Sequence, residues 1–246
     1  MIHGYKRAFT LIEMMLAMTF VSMLLLSITM TAIQAGQIYN RGATLKTINQ
    51  AGRDVGDTVR RDFLQTDPRL VSSGDMNNPN STNAVITIAE GDASSGRFCL
   101  GQYSYLWNSA QTIDSIEELS SNEAIVYAAD GVTPVNFVRV VDENGALCQK
   151  GDDGHYPNTL DDMGKVTSLL KTKAGSEDVV LSLYDMRVTR IATDNEHEAL
   201  YRVQYTLGTS KTSEIEDQAC RAPRDEDSNI EFCAINQFDM IVRTNG

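Results

Sequence analysis

The sequence predicts an α+β fold in which a long N-terminal α-helix packs on a C-terminal antiparallel β-sheet domain. Three observations predict it. The run from Phe9 to Ala35 is apolar apart from one acid, Glu13. Beyond it, Ile38, Leu45, Ile48, Val55, Val59 and Phe63 recur at the three, four and seven spacings of a single helix face. After residue 84 the apolar residues fall instead into short runs of strand character divided by polar, turn-forming segments.

The first element is long enough to cross a membrane. Met14 to Ala35 is 22 residues without a charge. As a helix it spans about 33 Å, against a hydrocarbon core of about 30 Å. Lys6 and Arg7 just before the run keep the N-terminus cytoplasmic and place the rest of the chain outside. An ordinary secretory signal peptide fits poorly: the apolar core is too long, Glu13 interrupts it, and Ile33-Gln34-Ala35 puts a large residue where the cleavage site wants a small one. A plain signal anchor accounts for the length but not for Glu13, since a carboxylate in the apolar phase is costly without a partner.

The residues Lys6-Arg7-Ala8-Phe9-Thr10-Leu11-Ile12-Glu13 resemble the N-terminal signal of type IV prepilins, a short basic leader and a small residue followed by Phe-Thr-Leu-Ile-Glu. The resemblance implies a pilin-like fold whose helix is the membrane and fibre spine. It also implies that a prepilin peptidase cuts between Ala8 and Phe9 and N-methylates Phe9, and that Glu13 pairs with the N-terminal amine of a neighbouring subunit during assembly. Partners on this reading are other pilin subunits, the peptidase, a pilus assembly platform and, before assembly, the cytoplasmic membrane; the end state is an extracellular filament for adhesion, twitching motility or DNA uptake. The implied division is a leader over 1–8, a transmembrane and polymerisation helix over 9–35, its amphipathic continuation over 36–66 and a globular β-rich domain over 67–246. The family usually has Gly where this chain has Ala8, and many major pilins carry a proline in the apolar helix that is missing here, which favours a minor subunit. Two other readings stay open: a pseudopilin of type II secretion, and a membrane-anchored extracellular binding domain that never polymerises.

With no proline between Phe9 and Pro68, one helix is expected to run to about Gln65, roughly 85 Å, with Gly36, Gly42, Gly52 and Gly56 as sites of bends or frayed turns. A loop is expected from Pro68 to Ala84. Strands follow over Ala84–Ala89, Arg97–Trp107, Val135–Asp142, Val179–Ile191, Ala199–Thr209 and Phe232–Thr244, with a hairpin turn at Asp194–Glu198 and helical signal around Leu160–Leu170. Tyr103, Tyr105 and Trp107 alternate, so they share one strand face as core. This half has no sharp motif of its own. Its order of elements, with Phe98–Tyr103 on an early strand and a cysteine-closed segment near the end, is similar to minor pilins of the PilW type.

The four cysteines, Cys99, Cys148, Cys220 and Cys233, all follow the apolar segment. Export implies two disulfides, for which three connectivities exist. Neighbours in sequence close first, and the second pair brackets a short polar loop, which favours Cys99–Cys148 and Cys220–Cys233. In the chain-entropy model these closures stabilise by about 4 and about 3 kcal/mol.

A formal net charge of −12 repels phosphate backbones and anionic lipid heads, so no general nucleic-acid binding is expected. Beyond the leader, His155 and His197 stand in no Ser-His-Asp or Cys-His arrangement, and no catalytic residues are expected. No cofactor or metal is expected either. Asp152-Asp153 and Asp161-Asp162 read as solvated loops, and Asp225-Glu226-Asp227-Ser228-Asn229 lacks the turn glycine and closing Glu of a calcium loop. Asn80-Ser81-Thr82 fits a glycosylation acceptor, a pattern common by chance.

Overall fold

The computed structural model describes residues 10–66, 86–90, 93–100, 102–117, 125–143, 145–152, 154–160, 165–170, 180–191, 200–216, 219–221 and 232–244. The expected loop over 68–84, the hairpin turn at Asp194–Glu198 and the Asn80 acceptor lie outside them.

Helix α1, Leu11–Gln65, is 55 residues without a break, about 82 Å of rod. Thr10 caps its start. The Thr10 hydroxyl oxygen accepts from the Glu13 N–H at 3.3 Å, while Glu13 Oε2 accepts from the Thr10 N–H at 3.0 Å and the Thr10 hydroxyl at 3.1 Å, a reciprocal capping box. In the apolar half, Thr19, Ser22, Ser27, Thr29 and Thr31 each donate a hydroxyl proton to a carbonyl one turn back, at 2.8 to 3.0 Å. Their polar groups are thus satisfied within the helix, which is what a lipid environment demands. At the far end the Thr66 N–H donates to Phe63 O and its hydroxyl to Asp62 O, closing the last turn.

The remaining elements are antiparallel sheets, so the chain is α+β. Strands β1 (Ile86–Glu90), β2 (Ala93–Leu100), β3 (Tyr103–Asn108), β4 (Phe137–Val141) and β5 (Val166–Ser168) form a five-stranded meander in chain order. Strands β6 (Leu181–Ile191), β7 (Leu200–Thr209) and β10 (Ile235–Arg243) form a second sheet in the order β10-β7-β6. A short pair, β8 (Ile215–Glu216) and β9 (Ala219–Cys220), a one-turn helix α2 (Ala110–Asp114) and two 3-10 turns, Ala146–Cys148 and Thr212–Glu214, complete the described elements.

Several expectations are corrected. Arg97–Trp107 is two strands rather than one, reversing between Leu100 and its partner Tyr103. The apolar parity already switches there, from even at Phe98 and Leu100 to odd at Tyr103, Tyr105 and Trp107, and only a reversal keeps both sets on one face. The helical signal near Leu160–Leu170 gives way to edge strand β5, where Val138 pairs with Ser168 and Val140 with Val166. The helix runs through Gly52 and Gly56 without fraying, and both glycines lie against aromatic side chains. A Cβ on Gly52 would stand 2.1 Å from the Phe238 ring, and the Tyr205 hydroxyl donates to Gly52 O at 2.6 Å.

The main core lies where the second half of α1 meets both sheets. Ile48, Val55, Val59 and Phe63 are buried against Phe98, Tyr105 and Phe137 of the five-stranded sheet and Met186, Tyr201 and Val203 of the other. Ile38 and Leu45, expected on this stripe, are exposed, and Thr44, Gly52 and Asp62 take their place on the buried face. Tyr105 and Trp107 are fully buried and Tyr103 packs against the same core, as their alternation predicts. Between Leu183 and Asp185 a bulge shifts strand parity, so that Leu183 and Met186 both face inward.

Candidate functional site

Two regions of α1 carry its distinctive polar and apolar features, and sequence alone singled out the first of them. The first is its N-terminal half. Every described side chain from Leu11 to Gly36 is exposed, and the large apolar ones reach 78% at Leu11 and still 55% at Val21. The stretch is long and apolar enough to cross a membrane, and none of it is buried by the described residues. A contiguous apolar surface of this length marks contact with lipid or with other protein.

Glu13 is the charged residue inside that surface. Both of the bonds it accepts from Thr10 reach Oε2, and among the described residues no donor reaches Oε1. Its donors are a backbone amide and a hydroxyl. Neutral donors satisfy lone pairs but leave the charge uncompensated once water is removed, so a cation remains the partner that a buried Glu13 requires. Ala8 and Phe9, where cleavage and methylation were expected, lie outside the described residues.

The second region is the junction of α1 with the sheets, which sequence reasoning missed. Asp62 is fully buried in the last turn of the helix. Its Oδ2 accepts from Arg139 Nε at 2.5 Å and from the Tyr105 hydroxyl at 2.6 Å, and its Oδ1 accepts from Arg139 Nη2 at 3.0 Å. The guanidinium stacks on Tyr103, 3.5 Å from the ring centre. Burial and the neighbouring Asp62 charge push the Tyr105 hydroxyl well above the usual tyrosine range. Burial works against the Arg139 cation, but its bonds to Asp62 outweigh that and raise it further. The signal was present: Asp62 stands three residues after Val59 on the apolar stripe, the position of a carboxylate that has a partner.

Arg97 is a second buried cation, 2% exposed, on the opposite face of β2 from Phe98. Its Nη1 donates to Leu147 O and Pro157 O, both at 2.7 Å, and the guanidinium lies over Tyr156. Burial draws this guanidinium down to about 10, with Tyr156 opposing the shift.

Both disulfides are closed in the pairing favoured from spacing. Cys99–Cys148, with Cα atoms 6.3 Å apart, ties β2 to the turn at Ala146–Cys148 that presents Leu147 O to Arg97. Cys220–Cys233, at 5.9 Å, ties β9 to the residues entering β10. The acidic loop between them, His197, Asp153, Asp161 and Asp162 lie outside the described residues. Among the described residues no group of three or more His, Cys, Asp or Glu could hold a metal ion.

Searches against protein-family models, curated proteins and solved structures return no match for this chain.

Proposed function

We propose that this chain is a type IV pilin-like subunit, held in the cytoplasmic membrane by the first half of α1 and then polymerised through that same half into an extracellular filament. The observation that carries the reading is the division of one unbroken helix into two environments. Its second half is buried on a disulfide-closed domain, and its first half is bare, apolar and interrupted by a single acid.

A bare apolar rod has two environments that bury it, lipid and the rods of other copies. The precursor uses the first and the filament the second, with van der Waals packing of the helices as the cohesive term. Glu13 supplies the register. Cleavage between Ala8 and Phe9 creates an amine one helical turn before Glu13, and the equivalent amine on a neighbouring copy is the cation that its carboxylate lacks. Any axial offset that leaves either charge unpaired in the bundle is penalised. A plain membrane anchor has no use for such a selector, because its Glu13 stays at the interface with the Thr10 capping box.

The test is the mass of the N-terminal peptide from membranes of the native host. Processing predicts a peptide beginning at N-methylated Phe9. An intact Met1 would establish a plain anchor and overturn the reading.

A further inference from the structure

The second half of α1 has a face that its own domain leaves uncovered. Ile48, Val55 and Asp62 are buried, and each is preceded two positions earlier by a cation, Lys46, Arg53 and Arg60. Two residues turn a helix by about 200°, so each cation lies opposite its buried neighbour. The seven-residue spacing repeats every two turns and drifts only about 20° each time, which sets the three in one line about 21 Å long. All three are exposed. Among the described residues none is in an ion pair, although Asp54 and Asp57 lie on the same helix; the Arg53 Nε donates to Asn49 O.

The charge of the chain is divided unevenly around this line. Residues 36–66 carry five Lys and Arg against three Asp and Glu, and one of those acids, Asp62, is taken by Arg139. Residues 67–246 carry 14 Lys and Arg against 29 Asp and Glu, a net charge of −15. A cationic line therefore points away from the acidic domain that carries it.

We infer that the line Lys46, Arg53 and Arg60 is an inter-subunit docking surface whose occupant is the acidic globular domain of a second copy of this chain. The inference rests on the assembly reading above and extends it from the apolar half of α1 to the polar half. Because α1 is one rod, bundling residues 11–36 of several copies brings their second halves side by side. Each rod is covered by its own sheets on one flank only, so its open flank meets a neighbour. Screening over about 8 Å at physiological salt confines the attraction to carboxylates in near contact, so it selects close lateral packing and not long-range association.

The experiment uses sheared filaments of the full chain treated with a carbodiimide, which joins lysine amines to carboxylates at zero length. Cross-linked dimers are separated from monomers on a denaturing gel and digested for mass spectrometry. Expected is a Lys46 peptide joined to an Asp or Glu between 67 and 246, present in the dimer band and missing from the monomer band. In parallel, Lys46→Gln/Arg53→Gln/Arg60→Gln should lower filament yield roughly tenfold and leave the unfolding temperature of the solubilised chain nearly unchanged, since these side chains are exposed and form no ion pair among the described residues. Filaments that form normally in the triple variant, or whose dimers lack Lys46 links, overturn the docking surface and leave the assembly reading standing. Unchanged filament yield with lost binding to phosphatidylglycerol vesicles assigns the line to lipid headgroups and overturns it as well. If the wild-type chain enters no filament at all, the assembly reading falls and this surface with it.

Discussion

Removing the Asp62 carboxylate leaves the Arg139 guanidinium partly buried without its counter-charge and strips the Tyr105 hydroxyl of its acceptor. Breaking one side of such a pair costs about 3–5 kcal/mol, much of it the penalty of the stranded partner. Asp62→Ala is therefore expected to lose that much in urea denaturation, and Asp62→Ala/Arg139→Met to recover part of it; additive losses would contradict the coupling. The buried tyrosines give a second expectation. Tyr105, Tyr184 and Tyr205 are each raised, by burial first and then by Asp62, Asp114 and Asp57 respectively. Each keeps its proton in the fold after it would ionise in the unfolded chain. Their contribution is complete below pH 10 and is lost as pH rises beyond it, about 1.4 kcal/mol per pH unit for Tyr105 alone. Alkaline unfolding followed by tyrosinate absorbance should be cooperative; stability that is flat from pH 10 to 12 would contradict it. The two acids on α1 differ in how legible they were. Glu13 stands alone in an apolar run and is visible at once, whereas Asp62 sits among ordinary charges and its partners lie 43 and 77 positions away.

At the scale of elements, Gly52 sets propensity against packing. Alanine in a helix interior gains about 1 kcal/mol over glycine, but at Gly52 the new methyl would collide with the Phe238 ring. Overpacking of that kind costs about 1–3 kcal/mol, so Gly52→Ala should be net destabilising. Gly42→Ala, where nothing lies within 4 Å, should be neutral or stabilising in the same thermal melts. A stabilised Gly52→Ala would show that the ring yields freely. The strands most legible in the sequence were the long ones, β7 and β10 with alternating apolar residues and β6 with alternation on either side of its bulge. The reversal at Leu100–Tyr103 was hidden because it leaves only a change of apolar parity within one continuous run of strand-forming residues. Strand β5 was hidden because only pairing with β4 makes three residues of mixed character a strand.

For the whole molecule, the long helix and the α+β class were readable because periodicity and the distance between prolines are local properties of a chain. The arrangement of two sheets around one helix was not, since it depends on pairings such as Tyr205 with Gly52, 153 residues apart. The proposed assembly role rests on what the fold leaves uncovered: half of a rod that none of the described residues buries. The most direct measurement of that role is the amount of the chain pelleted with sheared extracellular filaments, comparing wild type with Glu13→Gln at equal membrane levels. Wild-type chain should pellet with the filaments, and Glu13→Gln, with the same shape and no charge, should remain in the membrane. Equal recovery of both in the filament fraction would contradict the account.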